Sequence, residues 1–264
     1  MLSKVAHLAT HSMRYLESGS GRPVVLLHAF PLGAEQWLPQ LLKPRPGWRL
    51  VAPDLRGFGG ADPGVAAGGI SIGTYALDVL ELMAHLEMPN ARLVGTSMGG
   101  YVALAALRRS PNRVNSLVLA NTRASADSAE ARIAREDMLA CLRAEGVPGV
   151  AQRMLPRLLG PTTRRVQPDL VDALERLILR NSADGVDVAI RAMRDRPDST
   201  DLLPGIACPT MVIGGAEDAV VPPADGEALA RQIPGAVSVT IDDAGHLPNI
   251  EAPVVFTEAM MTLP

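Results

Sequence analysis

Ser97 stands in Gly95-Thr96-Ser97-Met98-Gly99, after the strand-like run Ala91-Arg92-Leu93-Val94 and before an apolar helical run that continues to Leu107. At such a strand-to-helix turn the glycines relieve crowding and the hydroxyl is left exposed, so Ser97 is the candidate nucleophile. The same spelling recurs in Gly69-Ile70-Ser71-Ile72-Gly73, but there it follows the loop-like Ala66-Ala67-Gly68-Gly69. Tyr75, Val79, Leu82, Met83 and Leu86 then recur at helical spacing, so Ser71 is expected to cap a helix and to do no chemistry.

A serine hydroxyl needs a base to take its proton, and the base needs an acid to fix its tautomer and stabilise its charge. Of the five histidines, His7 and His11 fall in the N-terminal strand region, His85 lies inside the helix after Ser71, and His28 ends the first central strand. His246 stands in Asp242-Asp243-Ala244-Gly245-His246-Leu247-Pro248, a loop directly after the last strand, and is the expected base. The acid is expected after an intervening strand, and Asp218 fits in Gly214-Gly215-Ala216-Glu217-Asp218 behind Met211-Val212-Ile213. Glu217 is its neighbour and rival. The other strand end open to an acid carries Asn121, which cannot hold the charge.

Acyl chemistry also needs donors for an oxyanion, each worth about 2.7–4 kcal/mol of barrier. The Met98 N–H, at a helix N-terminus directly after the nucleophile, is one. The Phe30 N–H, in His28-Ala29-Phe30-Pro31-Leu32-Gly33, is the expected second, with the Phe30 ring a candidate wall of the acyl pocket. The side chains of His28 and Phe30 are otherwise read as loop packing.

These residues must be positioned by a sheet. Val24–Leu27, Leu50–Ala52, Leu93–Val94, Ser116–Leu119, Met211–Ile213 and Val237–Ile241 read as buried strands, mostly separated by helical patterns. The alternation predicts an α/β fold with a mainly parallel sheet flanked by helices, and antiparallel strands around residues 6–17 at its edge. From Thr122 to Leu203 the strand signals stop, and helices are expected at 127–145, 148–159, 168–181 and 184–194. Residues 1–121 and 204–264 are therefore expected to form the core domain and 122–203 an inserted helical cap above the carboxyl ends of the strands. An oligomerisation surface is the competing role for that insertion.

With 264 residues and 47% hydrophobic composition, the chain can bury a substantial core, which excludes disordered and fibrous classes. Net charge is −3, and the Arg-dense stretch from Arg123 to Asp198 holds 13 Arg against 12 Asp plus Glu, so no nucleic-acid footprint emerges. The N-terminal residues lack a signal-peptide run and no window approaches a membrane span, so a soluble, cytoplasmic protein is expected. Cys141 and Cys208 have no metal-like spacing and read as ordinary thiols, with a disulfide as the alternative. No metal and no organic cofactor is expected.

Taken in order, the His28–Gly33 loop, Asp54-Leu55-Arg56-Gly57-Phe58-Gly59, the Ser97 turn, the Asp218 loop and Gly245-His246 resemble the α/β-hydrolase superfamily over nearly the whole chain outside the insertion. More narrowly they resemble its capped esterase, 3-oxoadipate enol-lactonase and cofactor-free haloperoxidase-like branch. The resemblance implies a structural role for the Asp54–Gly59 turn. Ala29 departs from the usual Gly, and Gly60 and Ala61 stand where that turn is often followed by a polar residue. The resulting expectation is a serine hydrolase that cleaves a small carboxylic ester or lactone through an acyl-enzyme. Enol-lactone hydrolysis, with cap arginines holding a carboxylated substrate, and perhydrolysis use the same Ser97, Asp218 and His246. A ligand receptor without turnover is the alternative of another class. Oligomeric state stays open.

Overall fold

Eight strands form one sheet: β1 (Leu2–His7), β2 (Ser12–Gly19), β3 (Arg22–Leu27), β4 (Trp48–Pro53), β5 (Ala91–Thr96), β6 (Val114–Ala120), β7 (Thr210–Gly215) and β8 (Val237–Ile241). Their order in this computed structural model, which describes residues 1–59 and 69–263, is β1-β2-β4-β3-β5-β6-β7-β8. The hairpin β1–β2 and the pair β2–β4 are antiparallel, forming the edge expected near residues 6–17. Every pairing from β4 to β8 is parallel. The loops that carry Phe30, Ser97, Asn121, Asp218 and His246 all follow parallel strands, and therefore share one edge of the sheet.

The two-residue period of a strand explains the layers. Val25, Leu27, Leu93, Leu117 and Leu119 join an apolar cluster with Tyr75, Val79 and Met83 of the helix Ile72–His85 and Val102 and Leu107 of the helix Met98–Arg109. Val24, Leu26, Val94 and Val118 face the other way, against Trp37, Leu41, Phe256 and Met260. β5 is buried along its whole length, as a central parallel strand covered on both faces must be.

Between β6 and β7 lie the helices Ala129–Leu158, Pro161–Val166, Pro168–Leu179 and Ala183–Arg194. The gap expected between residues 145 and 148 is a break at Gly146, whose φ of 68° interrupts the first of these helices. Pro161–Val166 adds a helix beyond those expected, because six residues are too few to show a helical period. Leu139, Val150, Ile178 and Ile190 of this segment belong to the same apolar cluster as β3 and β5.

Ser71 does cap its helix: its Oγ accepts the Thr74 N–H at 3.1 Å while its own N–H donates to Thr74 Oγ1 at 3.2 Å. The Asp54 carboxylate, almost wholly buried, accepts from Ala34 N–H at 2.7 Å and from Arg14 Nη1 at 2.6 Å, a structural use of the Asp54–Gly59 turn. The departure at Gly60 and Ala61 lies outside the described residues. Cys141 and Cys208 are both free thiols. No described helix is long and apolar enough to cross a membrane.

Candidate active site

Ser97 connects β5 to the helix Met98–Arg109 with φ 54° and ψ −114°, a conformation that side chains rarely adopt and that costs on the order of 1–3 kcal/mol. Its surroundings hold it there. The Ser97 N–H donates to Ala120 O at 2.9 Å, and the Ser97 carbonyl accepts Thr122 Oγ1 at 2.8 Å. A β-carbon on Gly95 would collide with the Gly99 carbonyl, and one on Gly99 with the Leu27 carbonyl, which is why the turn needs both glycines. Serine at a helix start usually caps it, yet the Ser97 side chain makes no capping hydrogen bond. Its hydroxyl is thus withheld from the helix.

Asp218 and His246 meet in the interior. Nδ1 of His246 lies 2.8 Å from Asp218 Oδ2, and both side chains are essentially inaccessible to water. A carboxylate only accepts, so Nδ1 carries the proton and Nε2 is left as the basic nitrogen. Asp218 Oδ1 accepts the N–H groups of Val220 at 2.7 Å and Val221 at 3.0 Å, and Oδ2 also accepts the Asn121 amide. Burial pushes the Asp218 carboxyl up, but the His246, Val221 and Asn121 donors outweigh it and hold the group below its ordinary 3.8. Glu217 turns the other way: its carboxylate accepts Thr162 N–H at 2.9 Å and Thr162 Oγ1 at 2.6 Å.

β6 ties the serine to this pair. Ala120 accepts the Ser97 N–H, and the next residue, Asn121, held at φ 46°, donates its side chain to Asp218 and to Gly245 O at 3.1 Å. In the sequence Asn121 reads only as an absent acid; its work as a donor depends on partners 97 and 124 positions away.

Phe30 follows β3, the strand paired in parallel with β5, and Met98 directly follows Ser97. Met98 opens the helix, where N–H groups have no intrahelical acceptor and the dipole favours negative charge. Ala29 is absent from the left-handed residues, so alanine fits here without strain. Its N–H donates to Gln36 Oε1 at 2.7 Å, and its carbonyl accepts the Leu32 N–H at 2.9 Å. His28 is fully buried, with Nδ1 3.0 Å from Ala29 O and Nε2 accepting the Leu55 N–H at 3.0 Å, so it braces the loop. The Phe30 ring borders a cavity of about 200 Å³ together with Tyr101, Val221 and the guanidinium-bearing Arg123, Arg135 and Arg157. Tyr101 lies one turn beyond Ser97, and the Val221 N–H is bound to Asp218.

The alpha/beta hydrolase fold family matches residues 22–253 of this sequence. The chain belongs to that family. A curated relative, 3-oxoadipate enol-lactonase 2 of Acinetobacter baylyi, is 29% identical over 94% of this chain and 91% of its own. Among solved structures, a thermophilic esterase from Thermogutta terrifontis with malate bound superposes with a TM-score of 0.92 at 38% identity, covering 99% of this chain and 97% of its own. The enol-lactonase from Burkholderia xenovorans LB400 gives 0.89 at 28% identity and covers 98% of each chain.

In this α/β-hydrolase the segment after His246 holds further polar residues that its sequence did not single out. Asn249, fully buried, accepts Gln36 Nε2 at 3.2 Å and returns its amide to Gln36 O at 3.1 Å. The Phe30 loop and the His246 loop are thereby linked through Gln36. Glu251, also buried, accepts the N–H groups of Gly245 and Leu247. The Asn249–Gln36 contacts span 213 positions, whereas Glu251 bonds amides six and four positions before it.

Proposed function

We propose that this α/β-hydrolase is a serine hydrolase that cleaves a small carboxylic ester or lactone through an acyl-enzyme. The observation that carries the reading is the buried Nδ1–Oδ2 contact of 2.8 Å between His246 and Asp218 at the sheet edge that also bears Ser97. His246 Nε2 takes the proton of Ser97 Oγ as that oxygen attacks the substrate carbonyl. Asp218 stabilises the imidazolium through Nδ1 without taking the proton. The N–H groups of Phe30 and Met98 receive the oxyanion, and His246 delivers its proton to the departing alkoxide. Water, deprotonated by the same Nε2, then releases the acid and frees Ser97.

In this reading residues 122–203 are the cap over a core of residues 1–121 and 204–264. Its support is the contact set at the sheet's carboxyl edge: Asn181 Nδ2 donates to Pro31 O at 2.7 Å, and the Gly59 N–H donates to Asn181 Oδ1 at 3.0 Å. Hydrolysis of p-nitrophenyl esters from acetate to decanoate by the wild type and Ser97→Ala tests the reaction. Turnover is expected in the wild type and not in the folded variant; undiminished turnover in Ser97→Ala contradicts the mechanism.

A second reading narrows the acyl group. Arg123, Arg135 and Arg157 border the cavity; Arg135 is paired with Asp127 at 3.1 Å and Arg123 with Asp225 at 3.3 Å, whereas Arg157 has no carboxylate partner among the described residues. The Arg157 guanidinium favours an acyl group ending in a carboxylate, as an enol-lactone of a dicarboxylic acid would supply. Methyl hexanoate and monomethyl adipate differ in a terminal methyl against a carboxylate. Preference for the adipate by tenfold or more in kcat/KM supports this reading, and equal rates remove it.

A further inference from the structure

His246 is held on its ring by Asp218, but its backbone is set by a second carboxylate. Glu251 Oε1 accepts the N–H of Gly245 at 2.9 Å and of Leu247 at 3.0 Å, the residues before and after the histidine. Its other oxygen, Oε2, accepts the Gly160 N–H at 2.8 Å from the helical segment between β6 and β7. The residue is only 7% exposed, so these N–H groups take the place of water around the carboxylate. Gly160 and Gly245 touch backbone to backbone, since a β-carbon on Gly245 would collide with the Gly160 nitrogen. Thr163 Oγ1 donates to Asp243 O at 3.4 Å in the same junction.

We propose that Glu251 is the positioning residue of the base: one carboxylate aims the His246 imidazole through the N–H groups of the residues on either side of it and locks that aim to the helical segment between β6 and β7. This rests on the serine-hydrolase reading for its kinetic consequence. Asp218 controls the tautomer and charge of the ring, whereas Glu251 controls where the ring sits. Neither can substitute for the other, because Asp218 bonds a side-chain atom that moves with the loop, and Glu251 bonds the loop itself. The contact to Gly160 adds a coupling: if that helical segment lifts, Oε2 loses its donor while Oε1 keeps the histidine loop as a single unit. A displacement of about 1 Å at a reacting group costs on the order of 100-fold in rate.

Glu251→Gln tests the proposal, because its single accepting oxygen can serve the Gly245 and Leu247 pair or Gly160 but not both, and its N–H groups then face what is left. Ester kinetics would be measured beside the proton resonance of His246 Nδ1–H, which is shifted downfield when bonded to Asp218. In the folded variant kcat should fall 10- to 100-fold with KM within threefold, and the Nδ1–H resonance should broaden or vanish through exchange. A kcat within threefold of wild type, or a loss confined to KM or melting temperature with the resonance unchanged, overturns it. Should Glu251→Gln not fold, Glu251→Asp keeps the charge one methylene shorter and is read by the same criteria. If the wild type hydrolyses neither ester nor lactone, the serine reading has failed, and the resonance still decides on Glu251: its loss in the variant supports positioning, and its persistence overturns it.

Discussion

Asn121 donates its side-chain amide to the Asp218 oxygen that also bonds His246 Nδ1. The strand end without an acid therefore supports the acid on its neighbour, since β6 and β7 are adjacent and parallel.

Removing that donor should be felt in stability and in its pH dependence. A hydrogen bond to a charged group is worth about 1.5–3 kcal/mol, so Asn121→Ala should destabilise by that order at neutral pH. Asp218 is held below 3.8, so its contribution is present above that value and lost as acid titrates the folded carboxyl. The variant should show a shallower loss of stability on acidification than wild type, as measured by urea unfolding across a pH series.

Asp218 and Glu217 are neighbours with different work. Asp218→Asn should lower kcat by about 10⁴-fold, the size seen when a serine enzyme loses the acid of its triad. Glu217→Gln removes only the Thr162 contacts and should leave kcat within about threefold. Equal losses in both variants would reverse the assignment.

His28 supplies a histidine-dependent stability term. Burial pushes its pKa below 6.5, and its Nε2 must remain unprotonated to accept from Leu55 N–H. The neutral form is favoured in the folded state, so this contribution is complete above pH 6.5 and declines as pH falls toward the folded value. Melting temperature followed through that range should show the decline, and His28→Phe should flatten it.

The two serines with the same pentapeptide spelling should separate cleanly. Ser71→Ala removes the cap on the helix Ile72–His85 and should cost about 1 kcal/mol of stability with kcat unaltered. Denaturant unfolding and ester kinetics on one preparation check both halves.

Much of this was readable from the chain because its signals are local. Ser97, Asp218 and His246 each follow a short apolar strand, and a parallel strand carries its successor loop to the same edge. Ser71 was separable from Ser97 by what precedes it. Other roles depend on contacts a sequence does not display: Glu251 bonds Gly160, 91 residues earlier, as well as Gly245 and Leu247 nearby, and Asn121 owes its donor role to Asp218. Glu217 and Asp218 stand side by side, and only the loop path, with Glu217 N–H bonded to Ala244 O, sends one inward and the other toward Thr162. The arginines facing the cavity were likewise indistinct, since their spacing does not tell a solvated helix face from a lining one.

The most direct measurement is intact-protein and peptide mass spectrometry after reaction with diisopropyl fluorophosphate, run in parallel with residual esterase activity. A single adduct on the peptide containing Ser97, absent in Ser97→Ala, with activity falling in proportion to labelling, is the expected result. Activity that survives complete labelling of Ser97, or an adduct on another residue that tracks the loss, would contradict the assignment of Ser97 as the nucleophile.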